Sequence, residues 1–376
     1  MSACRHLLQP NGSISGNEVA NSILPNFPDL CSALPADYFA NRPALLGIDK
    51  RKPVTHARVR DFILKEFGPA LHQLGYGRGH RIALVLPNGP ELGLAILCIA
   101  HWASCLPLNA NGATSELKKD LQAAKASLII GIFDDSAAIQ DMASALRIPF
   151  CGLKPSQEEV GIFTLIPMPS STPNPTLVDD DMESDEEICC ATDPVCGPSS
   201  PEGAGRIFPG KGKEEESKSK FFSNEHEDEV LVLFTSGTTG NKKLVPHKLG
   251  DMLIAAAVIA VSWNLSPEDI NCNLMPLFHV GGIVRQIFAP ILSAGSVICC
   301  PSFDPQLFWN LLLANHDKHL NYKLPSSFTW YYAAPTMHQV ILGSMPQGAT
   351  PKLRMIANAA AIFNSRHLAI LPSAVQ

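Results

Sequence analysis

Several features that define common protein classes are scarce or missing in these 376 residues. The longest apolar stretches, "LGLAILCIA" and "MLIAAAVIAV", fall far short of the roughly 20 residues of a membrane-spanning helix, so we expect no transmembrane segment. Basic residues are not in excess: 29 Lys and Arg stand against 35 Asp and Glu. A net charge of -6 gives no general field for nucleic acid, which favours small-molecule chemistry.

The cysteines lack the spacing of common metal and redox motifs. None of the 11 forms a Cys-x-x-Cys pair, and the N-terminus "MSACRHLLQPNGSISG" has no apolar core of a secretory signal. An odd cysteine count without a leader argues against a disulfide framework and indicates a reducing compartment. We therefore expect a cytoplasmic protein, with the peroxisome as the alternative location.

Strand-like and helix-like patterns alternate after an N-terminal extension, residues 1–40. An amphipathic helix is predicted within residues 55–75, and the strand "RIALVLP", the helices "GPELGLAILCIAHWA" and "TSELKKDLQAAKA" and the strand "SLIIGIF" follow. This alternation predicts βαβ units around mainly parallel strands, so the fold class is α/β. Residues 41–164 are expected to form a first α/β subdomain.

A segment rich in proline, serine and charge interrupts the alternation. Residues 165–227 show little aliphatic periodicity and are predicted to be a disordered low-complexity insert. The alternation resumes in residues 228–376 with the strands "VLVLF", "NLMPL", "SVICCPS" and "LRMIANA" and a helix from about Lys248 to Ser262. These residues are expected to form a second α/β subdomain, with the aromatic run "WYY" in its core.

The most informative stretch is "TSGTTGNKK", which directly follows the strand "VLVLF". A Gly/Ser/Thr loop after a buried strand can turn several N–H groups and hydroxyls towards one anion, because glycine tolerates the backbone angles required. Phosphate fits this chemistry, and a turn that binds nothing is the alternative. Lys243 would balance the charge, and Lys242 is expected to matter less. The candidate phosphate-binding residues are Thr235, Ser236, Gly237, Thr238, Thr239, Gly240 and Lys243.

This loop resembles the phosphate loop of adenylate-forming enzymes, which include acyl-CoA synthetases, luciferases and peptide-synthetase adenylation domains. Further segments resemble that family in the same order: "RIALVLPNGPELGLAILCIAHWASCLPLNA", "MPLFHVGGI" and "LRMIANAAA". The resemblance covers roughly residues 40–157 and 228–360 and is nearest in style to fungal CoA-ligase-like and peptide-synthetase-like members. One departure is Lys242, which stands where the family usually carries proline, so the loop is expected to be less rigid there.

The resemblance implies the large N-terminal domain of these enzymes, with stacked βαβ subdomains, and a two-step reaction. A carboxylate attacks the α-phosphorus of ATP to give acyl-AMP and pyrophosphate, and the thiol of CoA or of a phosphopantetheinyl carrier then takes the acyl group. Mg²⁺ accompanies the ATP, and positioning with charge neutralisation carries the first step. His279, Asn358 and Ala359 are implied to line the acyl pocket, and a purely structural role is the alternative for His279. The resemblance assigns no metal ligand here, and the acid is not identified.

The sequence also departs from the family beyond the pocket wall. A Tyr-Gly-x-Thr-Glu segment that stacks on adenine has no counterpart, since "NAAA" continues as "IFNSRHLAILPSAVQ". We therefore expect an incomplete N-terminal domain without the small C-terminal domain that carries the family's catalytic lysine. The chain is then either part of an acid-thiol ligase or a truncated, non-catalytic remnant that binds nucleotide or a partner. An unrelated P-loop hydrolase is the weakest alternative, because no Lys-Ser/Thr ending accompanies the loop.

Overall fold

The computed structural model describes residues 16–35, 37–168, 222–235, 242–313 and 327–358. Within these ranges, no helix combines the length and the apolarity that crossing a bilayer requires. Most of the predicted insert, residues 169–221, lies outside the described residues. Its first residues, 165–167, are instead part of the strand Phe163–Pro167, which pairs antiparallel with the preceding strand over five residue pairs from Cys151–Pro167 to Pro155–Phe163.

Strands and helices alternate along both halves of the described chain, which confirms the predicted α/β class. The strands of the first half are β1 Pro43–Leu46, β2 Val54–Thr55, β3 Arg81–Val85, β4 Ser104–Pro107, β5 Leu128–Ile132, β6 Phe150–Pro155 and β7 Phe163–Pro167. Its helices are α1 Gly16–Ile23, α2 Leu30–Ala33, a 3₁₀ turn Asp37–Phe39, α3 His56–Asp61, a π-helical segment Phe62–Phe67, α4 Gly68–Gln73, α5 Pro90–Trp102, α6 Thr114–Ala123 and α7 Ala137–Leu146.

The second half continues the same alternation. Its strands are β8 Glu229–Phe234, β9 Leu244–Lys248, β10 Ile270–Asn273, β11 Ser296–Cys299, β12 Trp330–Ala333 and β13 Met355–Asn358. Its helices are α8 Leu249–Ser262, a second π-helical segment Gly281–Phe288, α9 Ala289–Leu292, α10 Pro305–Leu312 and α11 Pro335–Gly343. The predicted helix within residues 55–75 is present as α3, the first π-helical segment and α4 in succession.

The strands form two sheets that are mostly parallel. One has the order β13-β12-β10-β11-β1-β2, and the other has the order β7-β6-β5-β3-β4-β8-β9. The antiparallel pairs are β1–β2, β6–β7 and β8–β9. Because the carboxyl ends of parallel strands meet at one edge of a sheet, the loops after these strands are where a ligand site is expected.

The sheets do not follow the predicted subdomains 41–164 and 228–376. β1 and β2 of the first half join β10 to β13, and β8 and β9 of the second half join β3 to β7. The predicted boundaries came from a break in composition. Parallel neighbours need long crossovers, so strands that pair in space need not be close in sequence, and such a break does not mark a sheet boundary.

A layer of buried helices joins the two sheets. α5 is buried from Leu92 to His101, which explains why its sequence is apolar on all sides. One apolar cluster contains α5, α8 and residues of both sheets, such as Leu45 of β1 and Leu84 of β3. The predicted N-terminal extension also contributes, because Val19 of α1 is fully buried in the same cluster.

One strand lies earlier than the sequence predicted. β10 ends at Asn273, and the residues of "MPL" that follow belong to a turn rather than to the predicted strand "NLMPL". The polar side chains of Asn271 and Asn273 hid the strand, although both are fully buried. Asn271 is accommodated because its amide donates to the carbonyl of Gln286, 3.1 Å away.

Candidate functional site

The predicted phosphate loop connects the antiparallel strands β8 and β9, whose last pair is Phe234 with Leu244. Beyond that pair, the Thr235 N–H donates to the Lys243 carbonyl at 2.9 Å. The Lys243 N–H in turn donates to Thr235 Oγ1 at 3.0 Å. The two ends of the loop are therefore joined at its base. The candidate residues Ser236, Gly237, Thr238, Thr239 and Gly240 lie outside the described residues.

A cavity of about 230 Å³ lies beside this base. Its walls come from four places: the end of β4 with Leu108 and Asn109, the helix α6, the loop ends Thr235 and Lys242, and the turn with His279. The structure thus brings Thr235 and His279, which are 44 positions apart in the sequence, to one cavity.

A second cavity of about 350 Å³ adjoins the first. The two share Phe234, Thr235, Phe278 and His279 in their walls. The remaining wall of the second cavity is mainly apolar and consists of Leu233, Val245, Val280 and His247. His247 received no role from the sequence, although burial lowers its pKa here.

Lys242 is held by two carboxylates of α6. Its Nζ lies 2.6 Å from Glu116 Oε1 and 2.6 Å from Asp120 Oδ2. Burial alone would lower the pKa of Lys242, but the hydrogen bonds to Asp120 and Glu116 outweigh it and raise the pKa, so the ammonium stays charged. Among the described residues, the cavity lining includes Lys242 but not the predicted Lys243, whose side chain is exposed.

His279 lies in the turn that follows β10 and lines both cavities. Its ring contacts the ring of Phe278, with 4.6 Å between the centroids. Partial burial lowers the pKa of His279, so the ring is neutral at pH 7 and offers one N–H donor and one acceptor. A neutral imidazole at this position can donate a hydrogen bond to a carboxylate in the cavity.

Two glycines after His279 allow the turn to approach its neighbours closely. A Cβ at Gly282 would lie 2.3 Å from the Pro276 carbonyl oxygen, which is a severe clash. A Cβ at Gly281 would lie 3.1 Å from the Tyr332 hydroxyl oxygen. The dipeptide therefore lets the turn that carries His279 fold back against the second π-helical segment.

Asn358, the third predicted pocket residue, is the last residue of β13 and pairs with Ala333 of β12. It is exposed and is not among the residues that line either cavity in the described part of the chain. Ala359 lies outside the described residues. The role of Asn358 in an acyl pocket therefore stays a prediction.

Sequence reasoning missed the acidic wall of the cavity. Glu116 and Asp120 are four positions apart on α6, a spacing that places both on one helix face. That spacing was the available signal, but nothing in the sequence indicated that this face meets Lys242. In the described ranges, no group of three or more His, Cys, Asp or Glu side chains could hold a metal ion.

This fold is that of the N-terminal domain of adenylate-forming enzymes. The structure resembles ATP-bound MatB from Rhodopseudomonas palustris with a TM-score of 0.64 at 16% identity, over 92% of this chain and 58% of that chain. It also resembles O-succinylbenzoate Coenzyme A Synthetase (MenE) from Bacillus subtilis in complex with AMP, with a TM-score of 0.61 at 14% identity, over 92% of this chain and 56% of that chain.

The chain belongs to the AMP-binding enzyme family, which matches residues 35–369. It is 28% identical over 333 residues to an oxalate–CoA ligase of Arabidopsis thaliana, over 87% of this chain and 54% of that protein. It is 27% identical over 298 residues to an acyl-CoA synthetase of Gibberella moniliformis, over 75% of this chain and 44% of that protein. The chain thus spans about half the length of these curated relatives.

Proposed function

We propose that the chain is of the acid-thiol ligase type: it binds ATP at the phosphate loop and a carboxylic acid beside His279, for conversion to acyl-AMP and then to a CoA thioester. The observation that supports this most is the shared wall of the two cavities, in which Thr235 and His279 both lie. Adenylation requires a phosphate and a carboxylate side by side, and this wall offers a group for each.

The loop base supplies donors for the polyphosphate. Thr235 Oγ1 accepts the Lys243 N–H, so its hydroxyl hydrogen remains available to donate to a phosphate oxygen. The backbone of Lys243 is hydrogen-bonded to Thr235 and its side chain is exposed, so its ammonium is available to neutralise phosphate charge. Both cavity carboxylates are paired with Lys242, so we propose that Mg²⁺ arrives with the ATP phosphates rather than at a site built from the described residues.

The second cavity favours an acid with an apolar tail. Leu233, Val245, Phe278 and Val280 line it, and burying apolar carbon against them is favourable. An acid as small as the oxalate in the name of the Arabidopsis relative would leave this volume unfilled. We therefore propose a monocarboxylic acid of medium length or an aromatic acid, with CoA as the acceptor, a carrier-protein thiol as the alternative, and a cytoplasmic or peroxisomal location.

The test combines ATP binding with ATP–pyrophosphate exchange on the purified 376-residue chain. The panel contains oxalate, malonate, hexanoate, octanoate and benzoate. We expect saturable ATP binding and a gain in ATP affinity with the tailed acids but not with oxalate. Since the Tyr-Gly-x-Thr-Glu segment does not occur in the 376 residues, exchange on this chain is expected to be weak.

Each outcome has a separate meaning. Acid-dependent exchange supports the ligase reading directly. ATP binding without exchange and without acid coupling supports the non-catalytic alternative, and the absence of ATP binding contradicts the proposal. A response to oxalate equal to that of octanoate contradicts the apolar-tail assignment alone.

A further inference from the structure

Lys242 connects two elements that are distant in sequence. One ammonium bridges the β8–β9 hairpin to Glu116 and Asp120 of α6, at 2.6 Å to each carboxylate. The same Nζ lies 5.7 Å from the centre of the Phe234 ring. These three contacts hold the Lys242 ammonium from two sides. The next residue, Lys243, makes the two hydrogen bonds with Thr235 that close the loop base.

The partial burial of Asp120 and Lys242 indicates that their ion pair contributes to holding the loop base in place. The Asp120 side chain is only 11% exposed and that of Lys242 32%, so neither charge is fully solvated. A carboxylate that is largely removed from water needs a partner, and loss of that partner is costly. Lys242 would have to leave two carboxylates to contact a phosphate, which makes it a poor direct ligand.

We propose that Lys242 is a positioning residue that clamps the base of the phosphate loop to α6 and thereby sets the affinity for ATP. This rests on the proposed function, in which the loop binds ATP. The clamp takes the place of the rigidity that proline would give at this position.

The first test needs no nucleotide, because it follows amide hydrogen exchange of Thr235 and Lys243, whose N–H groups close the loop base. Lys242→Ala and Glu116→Gln should each speed exchange by up to about fivefold, the range for an exposed ion pair. Glu116→Gln in the Lys242→Ala background should add little, because the pair is already broken. Lys242→Arg should restore protection, since a guanidinium can pair with both carboxylates.

The matched control is Lys248→Ala, which breaks a 2.6 Å pair with Glu227 at the other end of the same hairpin. It should leave the exchange of Thr235 and Lys243 unchanged. Unchanged exchange in Lys242→Ala, or effects of Lys242→Ala and Glu116→Gln that simply add, would overturn the clamp.

The second test measures ATP affinity and separates a clamp from a direct ligand. If Lys242 positions the loop, Glu116→Gln and Asp120→Asn weaken ATP binding by up to about fivefold, as Lys242→Ala does, and leave acid binding unchanged. If Lys242 contacts phosphate itself, releasing it from its carboxylates tightens ATP binding, and the proposal fails. Should the wild-type chain not bind ATP, the proposed function fails, and the exchange experiment still decides the clamp.

Discussion

At the scale of single residues, burial of histidine makes stability depend on pH. His56 at the start of α3 is 1% exposed, and its Nε2 lies 3.0 Å from the Gly295 carbonyl oxygen. Burial lowers its pKa from 6.5 to about 4. Within that window the unfolded chain binds a proton that the folded chain does not. The free energy of unfolding therefore falls as pH falls, by about 1.4 kcal/mol per pH unit for this residue.

Urea unfolding between about pH 7.5 and pH 5 checks this contribution. The wild-type chain should lose stability as the solution is acidified, and His101, whose pKa burial also lowers to about 4, should add to the slope. In His56→Gln the dependence of the unfolding free energy on pH should be weaker, by an amount that corresponds to nearly one fewer proton taken up on unfolding. This difference does not depend on the absolute stability of the variant. Identical slopes for the two proteins would show that His56 does not titrate in this range.

The candidate site residues were predictable from sequence only where the chemistry is local. Thr235 and Lys243 belong to one short loop, and their donor groups are visible in the sequence itself. The pairing of Lys242 with Glu116 and Asp120 joins residues more than 120 positions apart. Nothing in the sequence pattern indicates which element the acidic face of α6 contacts. Long-range ion pairs of this kind emerge only from the packing of α6 against the hairpin.

At the scale of elements, the turn after β10 depends on a glycine. In Gly282→Ala the new methyl group would meet the Pro276 carbonyl oxygen at 2.3 Å, so the backbone must shift. We expect a loss of about 1 to 3 kcal/mol in the free energy of unfolding, the usual range for overpacking. The turn that carries His279 should move as well, which would weaken acid binding.

Gly343→Ala is the matched control for this prediction. Gly343 is the last residue of α11, is exposed, and has no heavy atom within 4 Å of an added Cβ. This substitution should be neutral or slightly stabilising, because alanine loses less backbone entropy than glycine in a helix. Chemical denaturation of the three proteins provides the comparison. A Gly282→Ala protein as stable as Gly343→Ala would refute the steric account.

Among the elements, those with strong periodicity or uniform apolarity were predicted, and those that depend on pairing were not. α5, α8, β3 and β5 follow their sequence patterns closely. β9 was missed, because Pro246 within "LVPHK" argues against a strand in the absence of pairing information. At a sheet edge proline is tolerated, since its missing N–H removes no bond to a further strand.

At the scale of the whole molecule, the sequence could indicate the class and the order of segments but not the division into sheets. Leu45 of β1 pairs with Val297 of β11, and Cys105 of β4 pairs with Leu231 of β8. These pairings cross the composition break in both directions. No local sequence pattern encodes these pairings, because parallel strands are joined by crossovers of variable length. Which strands become neighbours depends on how α5 and α8 pack between the sheets.

The two cavities owe their position to this interleaving. β8 and β9 carry the loop base, while the turn after β10 in the other sheet carries His279. A shared apolar cluster holds the sheets together, so the distance between the loop base and His279 is set by the core and not by either element alone. We propose that this junction is an ATP site with Lys243 as the cation for the polyphosphate.

A calorimetric titration of the purified 376-residue chain with ATP and Mg²⁺, repeated with Lys243→Ala and with Lys248→Ala, tests that claim most directly. We predict saturable binding to the wild-type chain and to Lys248→Ala, and a loss of about 1.5 to 3 kcal/mol for Lys243→Ala, the range for a charge-assisted hydrogen bond. Equal affinities for all three proteins, or no binding to the wild-type chain, would contradict the assignment of the phosphate site.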